Sequence, residues 1–205
     1  MNKKKVIIRK LGIKHWINTF CDMHNFISKS NLSTLDEIWF LEHYSIFTQG
    51  RHGNKINDNE IRCINGISVI NSDRGGGITY HGPGQQIIYL LINLKRRKIY
   101  PRKMIFIIAE IVLNTLKKFS INGIFNEKNP GIYVDDKKIC SIGLRIKNGF
   151  SLHGFSLNVD MDLSPFDYIN PCGIKGIKMT QMKNLNSNIF FNKVQSVLLE
   201  NFLLF

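Results

Sequence analysis

Hydrophobic and polar positions trade places in short stretches along most of this chain. Val6 to Leu11 reads as a short strand. From His15 to Ser28 the side chains of Trp16, Phe20, Met23 and Ile27 recur every three or four positions, which predicts a helix with that face turned to a core. Asp36 to Phe47 reads as a helical or extended lead into a strand ending at Thr48-Gln49-Gly50, and Ser68 to Asn71 is a brief β-branched run. A glycine-rich loop is expected from Arg74 to Gln85, then a strong strand from Gln86 to Leu94. Arg102 to Phe119 is the clearest helix, with Met104, Ile108, Ile111, Val112, Thr115 and Phe119 along one face.

Beyond the Asn129-Pro130-Gly131 loop, Ile132 to Val134 and Lys138 to Ile146 predict a hairpin across Asp135-Asp136. Phe150 to Val159 follows as a strand, Asn170-Pro171-Cys172-Gly173 as a turn, and Phe190 to Phe205 as a helix. Strands outnumber helices and do not alternate strictly with them. The expected class is α+β, a mixed and largely antiparallel sheet flanked by helices. With no internal repeat or long linker, residues 1–205 are read as one domain.

The composition narrows the function classes. Hydrophobic residues make up 43% and charged residues 21%, enough apolar material for a real core. A net charge of +13 invites an acidic partner, although an Asn-, Lys- and Ile-rich chain also reflects A/T-rich codons. The aromatic residues are not interleaved with Lys and Arg as in RNA-binding motifs, so nucleic-acid binding rests on charge alone. The apolar run after the basic start breaks at Arg9, and no stretch approaches the roughly 20 apolar residues of a membrane span. A cytoplasmic protein is expected.

Three segments carry candidate chemistry. Five glycines between Arg74 and Gln85 let backbone approach a ligand closely, in a spacing that matches neither a P-loop nor a dinucleotide turn. On a regular strand, Lys138 would share the apolar face of Cys140, Ile142, Leu144 and Ile146. There it is either a desolvated base or a strand-end lysine snorkelling to water. Cys172, between Pro171 and Gly173, is a reachable thiol, either a nucleophile or a surface cysteine without a role. Cys140 is its rival, while Cys21 and Cys63 have less to recommend them. His81, in the glycine loop, suits a ligand contact. His153, alternating with Phe155, Leu157 and Val159, reads as a core histidine. The histidine spacings suggest no zinc site, and Asp160 and Asp162 read as a solvated turn.

Together, RGGGITYHGPGQ (74–85), GIYVDDKKICSIGLR (131–145), SLHGFSLN (151–158) and LSPFDYINPCG (163–173) resemble the lipoyl(octanoyl) transferases, in family order. Glu42-His43 and Thr48-Gln49-Gly50 also fit. The resemblance implies a fold shared with biotin and lipoate ligases. It implies a Cys/Lys dyad of Cys172, the nucleophile, and Lys138, which lowers the thiol pKa and acts as general base. Substrate contacts would fall on Arg74, Gly75, Gly76, Gly77, Ile78, Thr79, Tyr80 and His81, on Ser141, Ile142 and Gly143, and on Gly154, Phe155 and Ser156. The implied reaction moves an octanoyl group from octanoyl-acyl carrier protein to a lysine of lipoyl domains, those of 2-oxoacid dehydrogenase complexes and glycine cleavage H protein. No ATP, metal or other cofactor, no nucleic acid or membrane partner, and a monomeric enzyme are expected. An ATP-dependent lipoate ligase on the same fold is the nearest rival.

Overall fold

The computed structural model describes residues 5–31, 33–53, 62–171 and 176–203. In chain order, β1 (Val6–Lys14) leads into α1 (Trp16–Lys29), then β2 (Asp36–His43) and β3 (Ile46–Gln49). Next come β4 (Arg62–Ile64), β5 (Ile67–Asn71), β6 (Ile78–His81) and β7 (Gln85–Leu91). Two helices follow, α2 (Leu94–Arg97) and α3 (Pro101–Lys118), before β8 (Ile124–Asn126), β9 (Gly131–Val134), β10 (Lys137–Lys147) and β11 (Phe150–Asn158). A 3₁₀ turn (Ser164–Tyr168), α4 (Met182–Leu185) and α5 (Phe191–Leu203) complete the described chain.

The strands form a seven-stranded sheet, β1-β2-β7-β11-β10-β9-β8, and a four-stranded sheet, β4-β5-β3-β6. Only β1–β2 in the first and β3–β5 in the second pair parallel. This is the mixed, largely antiparallel α+β architecture expected. The hairpin between β9 and β10 turns through Asp135 and Asp136, both with positive φ (46° and 60°), the backbone of a two-residue turn whose twist matches its strands.

Alternation along β2 and β7 separates the two faces of the large sheet. Ile38, Phe40, Ile88 and Leu90 face a core shared with Met104, Ile108 and Val112 of α3 and Val194, Leu198 and Phe202 of α5. The ring of Phe202 meets Phe40 edge-on at 5.9 Å between centroids, closing this side. Trp39, Leu41, Ile87, Tyr89 and Leu91 face the opposite way, toward Met23 and Ile27 of α1. A third apolar cluster, Phe47, Val69, Tyr80, Met161 and Phe166, joins the small sheet to the 3₁₀ turn.

Of the two readings offered for 36–47, the extended one holds: it contains β2 and the start of β3. Four expectations need correction. The glycine-rich segment 74–85 is not all loop: its Ile78–His81 stretch is β6, antiparallel to β3. The strand after it ends at Leu91, because Asn93 caps α2 by accepting the Arg96 N–H at 2.9 Å. Lys138 and His153 both leave the faces that regular alternation assigns them, for reasons that belong to the site.

Candidate active site

The start of the glycine-rich segment lies across the middle of β10. The Gly75 N–H donates to the Leu144 carbonyl at 3.1 Å, while the Arg74, Gly76 and Gly77 carbonyls accept from the N–H groups of Arg51, His52 and Gly50, each at 3.1 Å. The Arg74 guanidinium supports this crossing from below. It donates through Nε and Nη2 to Thr48 Oγ1 (3.1 and 2.8 Å), through Nη2 to the Thr48 carbonyl (2.6 Å), and through Nη1 to the Gly75 carbonyl (2.9 Å). A buried arginine is thus spent largely on holding backbone in place.

Between this crossing and the sheet lies a narrow, mostly apolar cavity of about 50 Å³. Its walls are Arg74, Gly75, Gly76, Thr79, His81, Ser141, Ile142, Gly143, Gly154, Phe155 and Ser156, with Ile87 added. The structure brings these named positions together from β6, β7, β10, β11 and the glycine-rich segment. Gly77, Ile78 and Tyr80 do not line it. Ile78 and Tyr80 belong to the third core, where the Tyr80 ring contacts Phe47 and Phe166. Gly143 and Gly154 face each other across β10 and β11, so the cavity floor there is bare backbone.

His81 on the cavity wall, and His43 whose ring lies 5.9 Å from it, are held neutral. His81 Nδ1 donates to Gln85 Oε1 at 2.8 Å, and Nε2 lies 3.3 Å from Thr48 Oγ1. Gln85 in turn donates to Asn158 Oδ1 at 2.9 Å, which fixes the amide orientation and hence the Nδ1–H tautomer. Burial, reinforced by the nearby His43 and Arg74, holds His81 well below the usual imidazole range. His43 is pushed down to about 4, chiefly by burial, with its Nε2 2.8 Å from the Tyr89 hydroxyl. Among the described residues, no three His, Cys, Asp or Glu side chains converge as metal ligands.

Lys138 is 1% exposed. It does not sit on the Cys140 face. Lys138 pairs with Tyr133 and Cys140 with Ile132, so Ile139 is an extra residue, a β-bulge. Both Ile139 and Cys140 therefore turn into the α3/α5 core, along with Ile132 and Val134 of β9. The lysine is left on the opposite face. Its Nζ lies 5.5 Å from the Tyr133 ring centroid, and its stem covers Gly131, where an added Cβ would fall 2.4 Å from Lys138 Cε. The same Cβ would fall 2.5 Å from the Cys140 carbonyl, so lysine and backbone together require glycine at 131. The Lys138 backbone is clamped by residues 178–180: its N–H donates to the Lys178 carbonyl (2.8 Å), and its carbonyl accepts from the Thr180 N–H (3.0 Å). That segment is tied to the cavity wall, since Asn158 Nδ2 donates to the Thr180 carbonyl at 2.9 Å.

Burial pushes the Cys140 thiol up to about 12, and nearby Lys138 offsets this only in part. A thiol so disfavoured as thiolate is a poor nucleophile. Cys21 and Cys63 are exposed on α1 and β4, away from the cavity walls. Cys172, the expected nucleophile, lies outside the described residues, just after the buried Pro171. Sequence reasoning gave no role to Gln85, Asn158 and Thr48, which fall within the segments that carry the resemblance, and missed Asp73, which lies just outside them. The first two form a relay from His81 to Thr180, and their one signal was the clustering of amides next to apolar strands.

The family model "Lipoyl protein ligase A/B catalytic domain" matches residues 22–203. An octanoyltransferase of Buchnera aphidicola subsp. Acyrthosiphon pisum is 53% identical over 200 residues, 98% of this chain and 93% of the relative. The octanoyltransferase of Escherichia coli (strain SMS-3-5 / SECEC) is 46% identical, covering 99% of this chain and 94% of the relative. This chain belongs to the octanoyltransferase family. Among solved structures, a putative lipoate protein ligase of T. acidophilum with bound lipoic acid superposes on this chain with a TM-score of 0.77. The identity is 15%, over 97% of this chain and 84% of that one. The biotin protein ligase of Aquifex aeolicus gives a TM-score of 0.54 at 11% identity, over 97% of this chain and 67% of that one. At such identities these likenesses establish a fold shared with lipoate and biotin ligases.

Proposed function

We propose that the protein transfers an octanoyl group from octanoyl-acyl carrier protein to a lysine of lipoyl domains, in protein lipoylation, through a thioester on Cys172. The observation that carries this reading is the 53% identity, over nearly the whole of both chains, to an octanoyltransferase. The geometry supports it. A buried lysine shares the sheet face that leads to a slender apolar cavity, and the rival thiol Cys140 is locked in the core.

In the scheme, the Cys172 thiolate, favoured by the cationic Lys138, attacks the octanoyl thioester carbonyl. The C–S bond to the carrier breaks, and the departing carrier thiolate takes its proton from Lys138, which is left neutral. A neutral lipoyl-domain amine then attacks the acyl-enzyme, the amide forms, and Cys172 is regenerated while Lys138 takes the amine proton. Backbone N–H groups near Ser141 to Gly143, or near Cys172, would stabilise the oxyanion, where losing one donor raises a barrier by about 3–4 kcal/mol. Thioester-to-amide transfer is downhill, so the scheme uses neither ATP nor a metal. The charge of +13 would steer an acidic carrier, and the reaction should slow as salt rises.

The test is to incubate the protein with octanoyl-acyl carrier protein without ATP, then measure intact mass and map peptides. The expected result is one octanoyl adduct on Cys172, lost on adding a lipoyl domain and absent in Cys172→Ser. Transfer without an adduct, or transfer that needs free octanoate and ATP, would overturn the scheme.

A further inference from the structure

His153 has a left-handed backbone, φ 57°, inside strand β11. Among the described residues, the other non-glycine residues with positive φ (Asn65, Lys98, Ser120, Asp135, Asp136 and Asn148) all sit in turns or at helix ends. A histidine held this way within a strand is strained and persists only where surrounding contacts over-determine it.

The consequence is a change of face. Regular alternation would send His153 into the α3/α5 core with Phe155 and Leu157, where the imidazole would meet only apolar side chains. Instead the ring turns to the cavity side, 5.8 Å from the Tyr89 ring and 6.1 Å from Phe20 of α1. There His153 Nε2 donates to Asp73 Oδ1 at 2.6 Å. The other oxygen of Asp73 lies 3.1 Å from Arg145 Nε on β10 and 3.2 Å from His24 Nε2 on α1.

One carboxylate therefore gathers groups from three elements, and its place in the chain is telling. Asp73 immediately precedes Arg74, where the glycine-rich segment begins to wall the cavity. Gly75, two residues on, bonds to the carbonyl of Leu144, the residue paired with His153. Asp73 is thus fixed at the point where the segment lands on the sheet. Burial opposes its charge, but the His153 hydrogen bond and the electrostatic pull of His153, His24 and the Arg145 guanidinium outweigh burial and hold the carboxyl below its usual range.

We propose that Asp73 and His153 form a clasp that holds the glycine-rich segment against β10 and β11 in the shape that receives the acyl chain. Both are positioning residues, and the strain at His153 is retained because it delivers the imidazole to Asp73. This inference rests on the acyl-transfer reading above.

Two substitutions separate the clasp from the fold. His153→Gly relieves the left-handed strain and removes the donor. His153→Gln keeps a donor near the Nε2 position but keeps the strain. The clasp predicts opposite orders. The glycine variant melts at or above the wild-type temperature, yet its KM for octanoyl-acyl carrier protein rises about tenfold or more with kcat little changed. The glutamine variant melts lower, yet its KM stays nearer wild type. Amide exchange in peptides spanning 74–78, measured without substrate, should quicken about tenfold in His153→Gly and in Asp73→Leu. A KM that simply follows melting temperature, a loss confined to kcat, or unchanged exchange would overturn the clasp. A wild-type protein that fails to transfer octanoyl groups would refute the functional reading instead, and exchange alone would then decide the clasp.

Discussion

The face of the large sheet beneath α3 and α5 is filled with Ile, Leu, Val and Phe, while the face beneath α1 changes character along its length. It is apolar under Met23 and Ile27, then gives way to glycine, serine and histidine around the cavity, and to the buried Lys138 farther along β10. The first region is specified by volume: a side chain of the right size and polarity suffices. The second is specified by particular atoms, such as the Thr48 hydroxyl under Arg74 or the bare Gly131 under Lys138. Substitutions in the first region should therefore register as stability and those in the second as rate.

The sharpest contrast is at Lys138. Lys138→Met keeps the stem length and removes the ammonium, and octanoyl transfer should fall about 10²–10⁴-fold, the usual span for losing an acid–base group. A single-turnover assay on protein with wild-type circular dichroism would check this. Loss of less than about tenfold would remove Lys138 from the chemistry. On the other face, Leu198→Ala should cost about 2–5 kcal/mol in urea unfolding while activity per folded molecule holds. A matching loss of rate would blur the division between faces.

Acid should weaken the cavity side through its buried imidazoles. The unfolded chain takes up a proton at His43 below about pH 6.5, which the folded protein refuses until about 4. Stability is then complete above 6.5 and falls by about 3 kcal/mol as pH drops to 4, at about 1.4 kcal/mol per unit. His81, shifted in the same direction, should add to the loss. Urea titrations from pH 7 to 4 on the wild type and His43→Gln would measure it, the variant showing the shallower fall. The smallest effect is expected at Cys140→Ser: about 1–3 kcal/mol for a hydroxyl placed among apolar side chains, with transfer unimpaired. Loss of the acyl adduct in that variant would make Cys140 the nucleophile.

Much of this architecture was legible in the chain. The spacing of Met104, Ile108 and Val112 marks α3, the Asp135-Asp136 step marks the hairpin, and the glycine-rich segment does line a cavity. Three features were not legible. β6 hides inside a glycine-rich stretch because its partner, β3, lies some thirty residues earlier and supplies the pairing. The bulge at Ile139 leaves no trace in a run that alternates well on paper. The left-handed His153 contradicts its own local preference, and its cause, Asp73, is 80 residues away.

The sequence by itself determined the elements, the class of fold and the segments that carry chemistry, because periodicity and turn residues act over a few neighbouring positions. It also determined the family, through four motifs in a fixed order. Tertiary structure alone decided which way Lys138 and His153 point. Side-chain direction on a strand follows strict alternation only while pairing is regular, and a bulge or one left-handed residue reverses it. Those two reversals depend on partners distant in the chain, Met179 beside Lys138 and Asp73 beside His153, that no local pattern can specify.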